Sequence, residues 1–402
     1  MYYQRTLSTI IQNASETFPV VLVSGPRQVG KTTVFEHCSG NDRTIISLDN
    51  PSIRQSAKED PSLFFKTYKP PLLIDEIQYA PELFPYIKMI VDKEKTKGLF
   101  WITGSQIFQL MKDVTESLAG RIAILNLQGL SQSEKRNVPI CQPFLPSFEL
   151  KNNPQILSLS DIYNLIWQGS YPQLLADEKM SWDLFYSSYI ASYIERDVRA
   201  LLNISQENSF LKFIKVIAAR TGQLLNYTEI AKDVEISVNT VKAWISILET
   251  SGLIYLLQPY SNNLTSRVIK MPKIYFFDTG LACYLTGWDN PKVLENGAMS
   301  GAILETYIVS EIIKSYWHNG KRANVYFYRD RDQKEIDLII ESNGTLYPIE
   351  IKKSANPDIK AVRHFNVLKS FGKNIGTGAL ICLADSPIAL SQNITAMPLS
   401  YL

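Results

Sequence analysis

Apolar positions along the chain follow three patterns, and each pattern implies a different kind of element. Short uninterrupted runs, Val20 to Val23, Leu72 to Ile74 and "LFWIT" at 99–103, have the length and β-branched or aromatic content of buried strands. A helical spacing appears at Tyr186, Tyr189, Ile190, Tyr193, Ile194 and Val198, within a stretch, 160–222, that reads as helices. It recurs at Val241, Trp244, Ile245 and Leu248, and in an amphipathic helix expected over Gly301 to Tyr316. A period of two marks Ile336, Leu338 and Ile340, then Ile349 and Ile351, with Asn343-Gly344 between the two arms as a two-residue hairpin turn. The Pro/Asn-rich stretch at 139–155 separates the first pattern from the second. The expected fold class is α/β: a first domain over 1–150, a helical lid or linker over 151–222, a winged helix-turn-helix over 223–272 and a second α/β domain over 273–402.

The first strand runs straight into chemistry. "FPVVLVSGPRQVGKTT" at 18–33 completes the spacing GxxxxGK[ST] with Gly25, Gly30, Lys31 and Thr32, between a strand and a helix. Glycines there let the N–H groups of Pro26-Arg27-Gln28-Val29 and their neighbours, Pro26 excepted, curl around a phosphate. Lys31 neutralises β- and γ-oxygens, the Thr32 hydroxyl ligates Mg²⁺, and the helix beginning near Lys31, which Thr33 continues, has an N-terminus that favours anions. "PPLLIDEIQ" places Asp75 at the end of a second strand, where it would hold the Mg²⁺ shell, and Glu76 next to it, where it would polarise an attacking water. Glu76 also fits a plain cap for the following helix.

Taken together, "GPRQVGKTT", "LLIDEIQ", "WITGSQ", "ESLAGR" and "LSQSE" resemble the prokaryotic AAA-type ATPases, relatives of the STAND and archaeal ATPases, that carry a C-terminal domain of unknown function. "YPQLL", "YIERDVRALLNI", "ARTGQLLN", "FFDTGL" and "EIDLII" with "PIEIK" match that companion domain. The resemblance implies ATP binding and hydrolysis, and a strand lying between the two phosphate-site strands that carries a γ-phosphate sensor, Ser105 or Gln106; Thr103 faces either the site or the core. Arg121, just before the next apolar strand, would reach a neighbour's γ-phosphate in a homo-oligomer, or form a surface salt bridge.

In the middle region, Arg196, Arg199 and Arg220 either touch nucleotide from a lid or pair with nearby acids. Asn226 with Glu229 reads as a capping-box start, Val234 to Ile236 as a turn, Ser237 as the cap of a second helix to about Thr250, and "LIYLLQPY" as a strand before a Ser261-Asn262-Asn263 turn. Asn239, Thr240, Lys242 and Ser246 would face outward into a major groove. One lysine is little charge for such a surface, and this kind of module also serves in protein packing.

The period-two hairpin carries three charges that a structural hairpin does not need. With Ser342 opposite Thr345, Asp337 falls opposite Glu350 at a non-hydrogen-bonded position, Lys352 shares the face of Glu350, and Pro348 sits where its missing N–H costs nothing. Two carboxylates so close need a proton or a cation between them, and oxygen donors suit a divalent ion. Asp337 and Glu-x-Lys at 350–352, after a helix bearing Glu305 and Glu311, resemble the PD-(D/E)xK restriction-endonuclease fold. That resemblance implies Mg²⁺ or Mn²⁺ on Asp337 and Glu350, water handled by Lys352, and support from Glu305.

Composition adds limits. A net charge of +2 excludes a generally basic coat, but residues 314–373 hold twelve Lys/Arg against seven Asp/Glu, a local surplus that suits a phosphate backbone. Four scattered cysteines fit a reduced cytoplasmic protein, and three histidines without metal-like neighbours argue against zinc. No signal peptide or membrane span is expected. Two readings follow: an ATPase coupled to a nucleic-acid-binding or nuclease-like module, on DNA more than RNA, or an ATP-dependent switch whose C-terminal module binds a protein. A metabolic kinase has no acceptor site to support it.

Overall fold

The computed structural model describes residues 2–40, 42–104, 117–148, 154–193, 207–261 and 271–402. Ser105, Gln106, Arg196, Arg199 and the Asn262-Asn263 turn lie outside them.

Five strands, β1 (Val20–Ser24), β2 (Thr44–Ser47), β3 (Leu72–Asp75), β4 (Phe100–Gly104) and β5 (Ile122–Asn126), form a parallel sheet in the order β2-β3-β4-β1-β5. Every residue of β1 is buried because both faces are covered. Val21 and Val23 join Leu7, Ile11, Phe35 and Trp101 on one side, while Val20 and Leu22 join Ile74, Ile102, Phe84 and Ile87 on the other. β4 lies between β1 and β3, so the carboxyl ends of those two strands open on the same edge. Helix α1 (Leu7–Thr17) precedes the sheet, α2 (Lys31–Ser39) follows β1, and α3 (Leu83–Glu94) packs after β3.

Residues 139–148 form no regular element, yet they are tied to the far end of the chain. Phe144 N–H donates to Ser315 Oγ (2.9 Å), Tyr316 donates to the Phe144 carbonyl (3.0 Å), and Asn319 to that of Ile140 (3.1 Å). Helices α4 (Leu159–Gln168), α5 (Pro172–Ala176), α6 (Trp182–Tyr193) and α7 (Glu207–Ala219) follow, then α8 (Tyr227–Val234) and α9 (Val238–Thr250). Asn226 caps α8 by accepting from Thr228 and Glu229 N–H. Ser237 caps α9 by accepting from Thr240 N–H. The turn between them uses a left-handed Glu235.

β6 (Ile254–Pro259) pairs antiparallel with β7 (Lys273–Phe276) and parallel with β8 (Val325–Arg329). This hairpin therefore spans the expected 272/273 boundary and belongs to a nine-stranded sheet with the C-terminal strands. Helix α10 (Ser300–Trp317) leads into β8, β9 (Glu335–Ser342) and β10 (Thr345–Ile351), an antiparallel meander. A 3₁₀ stretch over Ile359–Phe371 follows, after which Gly378–Cys382 adds parallel to β10. The largest apolar core runs from Leu7 to Leu399 without respecting these divisions.

Candidate nucleotide and carboxylate sites

At the carboxyl end of β1 the chain leaves the sheet in a conformation that only glycine tolerates. Gly25 has φ +149°, and a Cβ there would lie 2.0 Å from the Leu127 carbonyl oxygen. Gly30 (φ +89°) is the last residue before α2, and Gln28 is also left-handed. Lys31 is buried, and its ammonium donates to the Gly25 and Pro26 carbonyls at 3.1 and 2.7 Å. Thr32 Oγ1 donates to Asp75 Oδ1 (2.6 Å), and Thr103 Oγ1 reaches the same oxygen (2.5 Å). Thr103 also accepts the Glu76 N–H (3.1 Å), and Ser47 Oγ reaches Asp75 Oδ2 at 3.4 Å. Glu76 itself is held at φ +55°, a strained state for a non-glycine, with Gln78 donating to its carboxylate.

A cavity of about 400 Å³ is lined by Arg27, Gln28, Lys31, Thr32, Thr33 and Glu76, and by Ser192 of α6. Beside it, a second cavity of about 330 Å³ runs between Gly30, Tyr2, Tyr3 and Pro172. Arg5 braces this edge from behind: its guanidinium donates to the Val29 and Gln128 carbonyls at 2.8 and 2.6 Å and lies 3.2 Å from Glu134. Burial alone would raise the Glu134 carboxyl, but Arg5 and His318 hold it well below its usual range. Pro26 packs against Gly252, where a Cβ would come within 3.1 Å of its ring.

Arg121 sits at the opposite, amino-terminal edge of the sheet, where β5 begins beside Val20. It forms a two-pronged ion pair with Asp92 of α3 at 2.6 and 3.1 Å. On α9, Asn239, Lys242 and Ser246 are exposed and Thr240 is half-buried beside its cap, while Val241, Trp244, Ile245 and Leu248 are buried. Lys242 lies 5.8 Å over the Tyr227 ring. Arg220 pairs with Asp233.

The second site stands on β9 and β10. Ser342 pairs with Thr345, Asn343 and Gly344 turn at φ +49° and +75°, and the ladder continues to Leu338 opposite Ile349. One step further Asp337 accepts the Ile351 N–H on its own carboxylate (2.8 Å). Against β8, Tyr326 pairs with Ile339 but Tyr328 with Ile336, so Asp337 and Leu338 together oppose Phe327 in a β-bulge. Lys352 Nζ lies 2.6 Å from Glu350 Oε1 and 3.9 Å from Asp337 Oδ2, so both buried carboxylates reach one cationic position. Burial, then Glu305 and Glu350, push the Asp337 carboxyl up to about 8, and burial raises Glu350. Glu305 of α10 accepts from Tyr275 (2.6 Å) and pairs with Lys273 (3.1 Å), both on β7; Lys273 also meets Glu335 at 2.6 Å. Glu311 turns elsewhere, accepting the Gln132 N–H and pairing with Lys314. Among the described residues no three His, Cys, Asp or Glu side chains gather closely enough to hold a metal.

Ser47, Arg5, Ser192, Lys273 and Tyr275 are site-lining or site-holding residues that the sequence patterns do not single out. Thr103, which the sequence leaves between site and core, reaches Asp75 and the Glu76 backbone.

Family models match the chain in three places: an AAA domain over residues 17–135, a domain of unknown function (DUF8612) over 159–292, and another (DUF4143) over 300–402. An uncharacterized protein of Mycobacterium tuberculosis is 27% identical over 401 residues, 98% of this chain and 83% of its own length. An uncharacterized protein of Methanocaldococcus jannaschii is 25% identical over 324 residues, 72% of this chain and 66% of its own. A Walker-type ATPase of Pyrococcus abyssi is a partial structural likeness, with TM-score 0.46, 14% identity, and coverage of 69% of this chain and 94% of that one. By its family match and its phosphate-loop geometry, the part of the chain over residues 17–135 is a P-loop domain of the AAA ATPase type, joined to parts that match two domains of unknown function.

Proposed function

We propose that the chain is a Mg²⁺-dependent ATPase whose nucleotide cycle acts on its carboxyl-terminal module. The observation that carries this reading is the sharing of Asp75 Oδ1 by the Thr32 and Thr103 hydroxyls, with Thr32 lining the same cavity as Lys31 and Glu76. Oxygen donors so arranged fit Mg²⁺, which when bound neutralises phosphate charge. The loop N–H groups and the N-terminus of α2 cradle the phosphates, and Lys31 exchanges its carbonyl partners for phosphate oxygens. Glu76, on the same cavity wall, orients and deprotonates water. The adjoining 330 Å³ cavity, walled by Val29, Leu130, Pro172 and the two tyrosines, suits a purine base. Arg121 would leave Asp92 for the γ-phosphate of a neighbouring copy in a homo-oligomer.

Within this reading the C-terminal module is nuclease-like and acts on nucleic acid, DNA before RNA. Asp337 and Glu350 would hold a divalent ion that polarises a phosphodiester, and Lys352 would position water. α9 would contact the duplex through Asn239, Thr240, Lys242 and Ser246. The alternative, a protein-binding switch, gains support from how little charge α9 presents.

Binding of a fluorescent ATP analogue, followed by turnover with and without single- and double-stranded DNA and RNA, tests both levels. Binding that is lost in Lys31→Ala and turnover stimulated by one nucleic acid would support the first reading. Binding without any nucleic-acid effect favours the switch. Unchanged affinity in Lys31→Ala would remove the P-loop from the mechanism.

A further inference from the structure

Half of the cations that follow β10 are already committed. From Lys352 to Lys373 the chain carries six Lys/Arg and one acid, Asp358. Lys352 attends Glu350, Lys373 pairs with Glu341, and Lys353 donates to the Glu295 carbonyl. Asp358 is used as a cap, accepting the Lys360 N–H at 2.9 Å. Among the described residues the other three cations, Lys360, Arg363 and Lys369, have no carboxylate partner. All three are exposed, and all three stand on the 3₁₀ stretch Ile359–Phe371.

Three residues make one turn of such a helix, so positions three apart stand in line. The side chains here repeat with that same period. Val362, Phe365 and Leu368 are buried in one core with Ile336, Ile339 and Leu346 of β9 and β10. Ala361, His364 and Val367 are half-buried, and Lys360, Arg363, Asn366 and Lys369 are exposed. The exposed four therefore form one straight ridge. In an α-helix the same positions would drift around the axis by about 60° per step. A 3₁₀ run of 13 residues is uncommon, and the shared period is what lets one face stay buried along it. A rise of about 2.0 Å per residue sets neighbours on the ridge about 6 Å apart. Successive phosphates of one nucleic-acid strand are separated by a similar step.

We infer that this ridge is a track for the sugar-phosphate backbone of one nucleic-acid strand. Lys360, Arg363 and Lys369 neutralise phosphates, and the Asn366 amide donates to the phosphate between the last two. The inference rests on the reading that the carboxyl-terminal module acts on nucleic acid, and it adds an element to which that reading gives no role. Contacts of this kind position a strand without reading its bases, so no base preference is expected from the ridge. A lipid surface fits less well, because the apolar face of the helix is already spent on the core and nothing remains to insert.

The test is the salt dependence of binding to a fluorescent oligo-dT and to a duplex of the same length, measured by anisotropy on the full chain without nucleotide. Each phosphate neutralised contributes about −0.7 to the slope of log K against log salt on a single strand, and about −0.9 on a duplex. Lys360→Gln/Arg363→Gln/Lys369→Gln should therefore flatten the slope by roughly 2 on oligo-dT and by roughly 2 to 3 on the duplex. Removing equal charge from the first domain, in Lys58→Gln/Lys66→Gln/Lys93→Gln, should change it by less than about 0.5. All six lysines and arginines are exposed, so folding is not at stake. Asn366→Lys adds a cation to the ridge and should steepen the slope on oligo-dT by about 0.7, whereas Ser370→Lys, off the ridge, should not. Equal flattening by the two triple variants, or equal effects of Asn366→Lys and Ser370→Lys, would overturn the ridge and leave nucleic-acid binding standing. Polyglutamate that binds as tightly, with the same dependence on the ridge, would overturn nucleic acid as the partner. No binding of either oligonucleotide at low salt would end the nucleic-acid reading as well.

Discussion

Thr103 joins the ends of two strands through one hydroxyl, donating to Asp75 and accepting from the Glu76 backbone. It fixes the carboxylate that would orient the metal and the backbone of the residue that would orient water. Thr103→Val keeps the shape and removes both bonds, so turnover should fall by about 10- to 100-fold, as for other supports of metal ligands, with nucleotide affinity changed far less. Steady-state turnover alongside equilibrium binding checks this; equal losses in both would make Thr103 a folding residue only. At the second site the charge on Asp337 is opposed by burial and by neighbouring acids. Its carboxyl is pushed up from 3.8 to about 8, so the folded chain binds the proton more tightly than the unfolded chain does. That contribution favours folding at low pH and is lost as pH rises between those two values. Asp337→Asn should therefore raise the melting temperature at pH 8 in a chelating buffer, with the gain shrinking toward pH 4. A variant that melts lower than wild type at pH 8 would show that the carboxylate stabilises the fold.

Among the elements, the β9–β10 hairpin shows how far a sequence can be read. The Asn343-Gly344 pair sets a two-residue turn because both positions need positive φ, and the turn then fixes every later pairing. The Asp337/Glu350 juxtaposition was legible for that reason. The bulge at Asp337–Leu338 was not, since it depends on how β8 docks, and neither was Lys273, brought from a strand far back in the chain. The same limit applies to the domain boundary: the "LIYLLQPY" strand, β6, read as part of the winged region, but it pairs with β7 and β8 in the C-terminal sheet. Gly344→Val, at φ +75° with open space around the Cβ, should cost roughly 1–2 kcal/mol through backbone strain alone. Chemical denaturation measures this; no loss of stability would mean that the turn is not what sets the register.

For the whole molecule, the phosphate loop is held by parts of the chain far apart in sequence: Arg5 at Val29, Gly252 at Pro26, and His318 through Gln128 and Glu134. Helix α10 carries Glu305 at the carboxylate site and ends at His318 beside that brace. The phosphate-site motifs were legible because their spacing is local. These long-range braces are single residues with no period or motif, and only the fold reveals them. Arg121 lies across the sheet from its own nucleotide cavity, so any catalytic use of it must be in a neighbour. Arg121→Ala and Glu76→Gln should each be slow alone and recover part of the activity when mixed. A monomer that is fully active would end that proposal.

Mg²⁺-dependent ATP turnover by the purified wild type, set against Glu76→Gln, tests the central claim most directly. The expected result is turnover that requires Mg²⁺ and falls by about 10²-fold or more in the variant, with nucleotide binding retained. Equal turnover in the two proteins, or none in a wild type that binds ATP and Mg²⁺, would contradict it.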